Sequence, residues 1–115
     1  MVNNYNCYSP LRQGDIIKVA LGENEGHEQA GYRPCMVISK TEFNKIARLA
    51  ICVPITNTNN GFPLHVSLKG RTKTTGVILC EHIRTLDVNA RGYRFIETAP
   101  QDVLNEVLRI TKSFS

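Results

Sequence analysis

The 115-residue sequence contains no tryptophan and no apolar run approaching the length of a membrane span. It has no His-Glu-x-x-His, no suitably spaced pair of aspartates and no His–Cys cluster. Two-metal nucleases need several converging carboxylates, and the acidic residues here are scattered, so no metal site and no cofactor is expected. The cysteines stand at 7, 35, 52 and 80 and form no Cys-x-x-Cys pair. Cys35, Cys52 and Cys80 lie in or beside apolar runs (PCMVIS, AICVPI, GVILC) and read as small buried hydrophobes rather than ligands or a disulfide framework. The first residues, MVNNYNCYSPLRQGD, lack a charged and then apolar leader, which argues against a secretory signal. Free thiols without such a signal point to the cytoplasm. No repeat or linker divides the chain. It reads as a polar arm over residues 1–13 and one domain over 14–115.

What is present is mildly basic. The formal net charge is +4, which favours an acidic partner such as nucleic acid or an acidic protein segment. Asp15–Leu21 is apolar-rich and β-branched, a first strand. Arg33 or Pro34 through Ser39 predicts a second, apolar enough to be buried on both faces. Ser39 and Glu42 match a capping box ahead of TEFNKIA, a short helix with Phe43, Ile46 and Ala47 at helical spacing. Leu49–Ile55 predicts a third strand, interrupted near its end by Pro54, followed by the turn-rich Thr56–Gly61. Phe62–Leu68 alternates apolar and polar, a half-buried strand; Lys69–Thr75 is a basic turn; Gly76–Cys80 is another strand, continuing into EHIRTLD; Gly92–Ile96 is a short last one. Thr98 and Gln101 form a second capping-box match, with Pro100 near the first helical position. Val103, Leu104, Val107, Leu108, Thr111 and Phe114 then share one face of a C-terminal helix. Five or more short strands closed by a helix predict a mainly β fold, a small partly open barrel; the pattern alone does not separate an SH3-like barrel from an OB-like one.

The stretch Gly22–Ser39 stands out functionally. A polar loop runs into Gly31-Tyr32-Arg33-Pro34 and then into an apolar strand. Pro34 biases Arg33 toward extended backbone, so a fixed cation sits at the junction, with Glu28 and Gln29 on the same lip. Arg forks well onto a phosphate. The residues alone equally fit a surface loop in which Arg33 pairs with Glu28.

With these pieces placed, the chain resembles the MazF/PemK/Kid family of bacterial toxins. The residues that carry the resemblance are Gly14-Asp15-Ile16, Gly26-His27-Glu28-Gln29, Arg33-Pro34, Phe43-Asn44, Val53-Pro54-Ile55-Thr56, Thr75-Gly76-Val77, Ile83-Arg84-Thr85-Leu86-Asp87 and Asn105-Glu106-Val107-Leu108. Their order and spacing are specific together. The resemblance implies an SH3-like barrel with a short inserted helix and a C-terminal helix, and a homodimer. It also implies a sequence-specific endoribonuclease acting on single-stranded messenger RNA, and a cognate antitoxin whose acidic tail covers the RNA site. Arg33 and Thr56 fall on the family's Arg and Thr around the scissile phosphate. His27 and Glu28 fall on its polar loop, Phe62 on an aromatic beside the RNA groove, and Glu81 on an acidic position after Thr-Gly-Val. Kid-like members carry an Arg two residues before that acid; here the position is Leu79, so a general-acid role there does not transfer.

Attack of the RNA's own 2′-OH on the adjacent phosphate needs a base, charge stabilisation and a proton for the leaving 5′-oxygen. Arg33 suits the phosphate and Thr56 can donate to it. The base stays open between Glu28 and Glu81, and the acid among Arg33, His27 and water. No serine or cysteine has an evident base beside it, so metal-independent cleavage to a 2′,3′-cyclic phosphate and a 5′-hydroxyl is expected. His27, Gln29, Phe62, Lys69, Arg71 and Lys73 are candidate RNA contacts; the last three also read as a solvated turn. Thr56 also reads as a turn residue bonding its own backbone, His65 and His82 as plain exposed loop residues, and Arg84 with Asp87 as a structural pair. Two other functions fit a small barrel. One is a CcdB-like gyrase poison, against which Arg33-Pro34 and Pro54-x-Thr56 argue; the other is a non-catalytic RNA- or protein-binding module.

Overall fold

A computed structural model describes residues 10–21, 31–58, 64–68 and 70–114. The described chain runs β1 (Asp15–Ala20), β2 (Tyr32–Val37), α1 (Thr41–Ala47), β3 (Ala50–Thr56), β4 (His65–Ser67), β5 (Val77–Leu79), β6 (Arg84–Leu86), α2 (Val88–Arg91), β7 (Tyr93–Thr98) and α3 (Gln101–Lys112). The seven strands pair antiparallel in the order β4-β5-β3-β2-β1-β7, with β6 also on β3, and the sheet does not close. This is the expected mainly β, partly open architecture with an inserted helix and a C-terminal one.

The central strands are apolar on both faces because each face has its own core. Ile16, Met36, Val53 and Ile55 join Val66, Leu68 and Ile78 beneath α3, which contributes Val103, Leu104, Val107 and Ile110. Ile17, Val19, Cys35, Val37 and Cys52 point the other way, onto Leu11, Leu86 and Val88. Strand alternation sends neighbouring residues to opposite faces, and two-sided burial turns that alternation into continuous apolar runs. Cys35, Cys52 and Cys80 are buried in these cores, as small hydrophobes. Burial, together with the charges of Glu81 and Glu106, pushes the Cys80 thiol up to about 11, which removes it as a nucleophile at neutral pH.

Local signals misled at several points. β3 continues through Pro54 to Thr56. Pro54 lies between the stretch paired with β6 and the stretch paired with β5, where one side of the ladder is open and a missing N–H costs least. Neither capping box forms: Lys40 and Pro100 are the N-caps, and neither caps with its side chain. Ser39 is buried, so its hydroxyl is satisfied inside the fold; it donates to Asn44 Oδ1 and accepts from the Ile51 amide at 2.9 Å. Thr98 is held opposite Asp15 in the sheet and donates to its carboxylate at 3.3 Å. In α1 the buried residue is Asn44, whose amide donates to the Leu11 carbonyl at 2.7 Å, while Phe43 and Ile46 are exposed. On α3, Ile110 is buried in place of the expected Phe114, which lies past the helix end and is exposed. β7 is longer than expected because β1 pairs along it.

Candidate active site

β2 and β3 carry Arg33 and Thr56 to one cleft of about 350 Å³, lined by Leu21, Gly31, Arg33, Pro54, Ile55, Thr56, Leu79 and His82. Arg33 precedes the register pair Cys35–Pro54, so the two residues flank neighbouring strands at the same end of the sheet. Arg33 is exposed, within reach of a ligand from solvent. The Thr56 hydroxyl accepts from the Thr58 amide at 3.1 Å. That turn occupies a lone pair and leaves the hydroxyl proton for another acceptor, so the turn reading and the binding reading of Thr56 are compatible.

The position of Thr56 depends on Gly76. Gly76 has φ +119°, and a Cβ built there would stand 2.4 Å from the Thr56 carbonyl oxygen. The backbone entering β5 therefore runs against Thr56, and the glycine in Thr-Gly-Val is required by that approach.

After β5 the chain turns back at once, the His82 amide donating to the Leu79 carbonyl at 3.0 Å. This β-turn sets Leu79 and His82 side by side on the cleft wall. Glu81 stands within the turn, its Oε2 3.1 Å from His65 Nε2 and 3.6 Å from His82 Nε2. Burial works against the Glu81 charge, but its own backbone N–H, the hydrogen bond to His65 and the two imidazoles outweigh it. The carboxyl is held below its ordinary value. Glu81 Oε1 is buried without a hydrogen-bond partner among the described residues.

His65 and His82 are thus not plain loop residues. The His65 side chain is only 6% exposed, on β4 opposite Leu79. His82 is exposed but belongs to the cleft. The sequence offered one signal, the adjacency of His82 to Glu81; the pairing of β4 with β5 that brings His65 in has none. Arg84 and Asp87 bond elsewhere than to each other. Arg84 donates to the Leu21 carbonyl at 2.7 Å and so steadies a cleft wall, while Asp87 caps α2 through the Ala90 amide.

The basic turn splits in two. Lys73 lines a second cleft of about 360 Å³ with Lys18, Pro34, Asn57, Thr74, Thr75 and Ile96, adjoining the first across Arg33–Pro34 and Thr56–Asn57. Its loop is held by Glu97, which accepts from the Lys73 and Thr74 amides at 3.1 and 2.7 Å. Arg71 instead makes a two-pronged ion pair with Asp102 at the start of α3. Glu28, His27, Gln29, Phe62 and Lys69 lie outside the described residues.

Residues 12–114 match the family described as PemK-like, MazF-like toxins of type II toxin–antitoxin systems. The chain is 41% identical over 106 residues to the Escherichia coli protein named Endoribonuclease PemK, covering 87% of this chain and 78% of that one. Its structure is similar to that of a Deinococcus radiodurans MazF, with TM-score 0.81, 32% identity, and 91% and 96% of the two chains covered. It is also similar to MazF in a MazE–MazF structure from the same organism, with TM-score 0.78, 28% identity, and 91% and 94% covered.

Proposed function

The chain belongs to the PemK-like, MazF-like toxins of type II toxin–antitoxin systems, and from that premise we propose that it is a sequence-specific endoribonuclease that cuts single-stranded messenger RNA and thereby blocks translation and growth. The observation that carries the reading is the meeting of Arg33 and Thr56 in one cleft. A planar cation and a hydroxyl donor facing the same space suit a phosphodiester whose charge rises in the transition state. A gyrase poison acts by binding a protein and has no use for that pair.

In this reading the scissile phosphate sits against Arg33 and Thr56, and the RNA's 2′-OH is the nucleophile. Glu28 and Glu81 are the two candidate bases. Phe62, His27, Gln29, Lys69, Arg71 and Lys73 are the proposed RNA contacts, and Lys73 already lies in the cleft beside the phosphate site. The charge work is done by the chain's own donors, so cleavage is expected to persist in EDTA and to leave a 2′,3′-cyclic phosphate and a 5′-hydroxyl. The test is a substrate with one 2′-deoxy residue just 5′ of the cut. Cleavage of that substrate at the site, or loss of cleavage of all-RNA in EDTA, rules the mechanism out.

The partner is an antitoxin with an acidic tail, supported by the basic clefts and by the MazE–MazF structure of a similar protein. No described helix is long and apolar enough to cross a membrane, and a toxin acting on messenger RNA works in the cytoplasm. We also read the chain as a homodimer. Phe95 on the edge strand β7, and Phe114 after α3, are large apolar side chains left exposed. Light scattering at micromolar concentration should give the mass of two chains; a monomer with full activity removes this part of the reading.

A further inference from the structure

Breaking the phosphorus–oxygen bond leaves an alkoxide on the 5′-oxygen, and that oxygen must receive a proton. Among the described residues lining the cleft, three carry a proton on a polar side-chain atom: Arg33, Thr56 and His82. A guanidinium holds its proton far more tightly than an imidazolium and is the poorer acid of the two. An aliphatic hydroxyl is too weak an acid to give up its proton without a base of its own. An imidazolium does it readily near neutral pH.

We propose that His82 is the proton donor to the leaving 5′-oxygen, with Glu81 as the carboxylate that positions it. The inference rests on the endoribonuclease reading above and names the acid that reading lacks. The Leu79–His82 turn bond places His82 next to the apolar side chain that cannot donate, in the same cleft as Arg33 and Thr56. Glu81 Oε2 is 3.6 Å from His82 Nε2, close enough for charge attraction and too long for a hydrogen bond, so the ring can turn toward a substrate. His65 anchors the same oxygen from behind at 3.1 Å. Among the described residues, the charged groups near His82 are Glu81 within its own turn and Arg33 of β2, which lines the same cleft.

The step balances. The 2′-oxygen bonds to phosphorus and its proton passes to a carboxylate. The bond to the 5′-oxygen breaks with its electron pair on that oxygen, and the imidazolium proton joins it as the 5′-hydroxyl. Glu81, whose carboxyl is held below its ordinary value beside two imidazoles, belongs in this reading to the acid side.

The experiment compares wild type and His82→Gln on two RNAs of the same sequence, one natural and one with sulfur replacing the bridging 5′-oxygen at the cut. A thiol has a pKa of about 8.5, so a thiolate leaves without an acid. His82→Gln should cleave the natural RNA about 10²-fold more slowly and the sulfur-bridged RNA as fast as wild type does. The side chain is 58% exposed, so an unchanged unfolding midpoint is expected. Equal losses on both RNAs, or no loss on the natural one, overturn the role of His82. Wild-type products that lack a 2′,3′-cyclic phosphate bring down the endoribonuclease mechanism itself, and this inference with it.

Discussion

Arg33→Ala should slow single-turnover cleavage about 10³-fold, the scale on which removing a preorganised donor from an oxyanion lowers a rate. Arg33 is the permanently charged group among the described residues lining the cleft, and no neighbour there can replace it. Its backbone is set by β2 and by Pro34, and Val19 on β1 stands opposite it. The base of the side chain is therefore fixed before a phosphate arrives. The side chain itself is exposed, so the fold does not depend on it, and stability should change by less than about 0.5 kcal/mol. Arg33→Lys should recover part of the rate, because it restores the charge but not the planar fork. Thr56→Ala should act in the same direction with a smaller loss. Quenched-flow or gel measurements under excess protein, beside a urea unfolding curve, separate chemistry from stability. A folded Arg33→Ala protein that cleaves like wild type removes Arg33 from the mechanism.

Gly76→Ala should damage both stability and activity, although residue 76 carries no chemistry. Its φ of +119° is one that an L side chain rarely adopts, and the added methyl would lie 2.4 Å from the Thr56 carbonyl oxygen. That neighbour is backbone, so it cannot swing aside as a flexible side chain can. Relief requires β5 and the end of β3 to separate where Ile55 pairs with Ile78 and Thr56 with Val77. Strain at such a position costs about 1–3 kcal/mol, and loosening the buried Ile78 brings the expected loss to about 2–4 kcal/mol. Thr56 then shifts relative to Arg33, and a displacement of about 1 Å can lower a rate 10²-fold. Unfolding midpoints measure the first effect. Cleavage at a temperature where the variant is still folded measures the second. Wild-type values for both would show that the close approach of Gly76 to Thr56 has no importance.

The strands, the inserted helix and the C-terminal helix were legible because apolar periodicity is a local property of the chain. The pairing of Arg33 with the strand-end Thr56 was legible only through the family resemblance, carried by Arg33-Pro34 and Val53-Pro54-Ile55-Thr56. Side-chain hydrogen bonds were not. Ser39 and Thr98 carry the spacing of helix caps, yet burial beside Asn44 and pairing with Asp15 claim their hydroxyls. A local motif states only what a side chain can do, and the nearest competing partner decides. The same holds for α1, where spacing favoured Phe43 and Ile46 but the interior took Asn44. The two histidines show the division most sharply. By itself the sequence determined that an acid and an imidazole are neighbours at Glu81 and His82, since that is a matter of chain order. Only the tertiary structure decided that a turn aims His82 into the cleft of Arg33 and Thr56, and that β4 lays His65 under Glu81. Strand pairing joins residues far apart in the chain, and no local pattern of residues encodes which strands will meet.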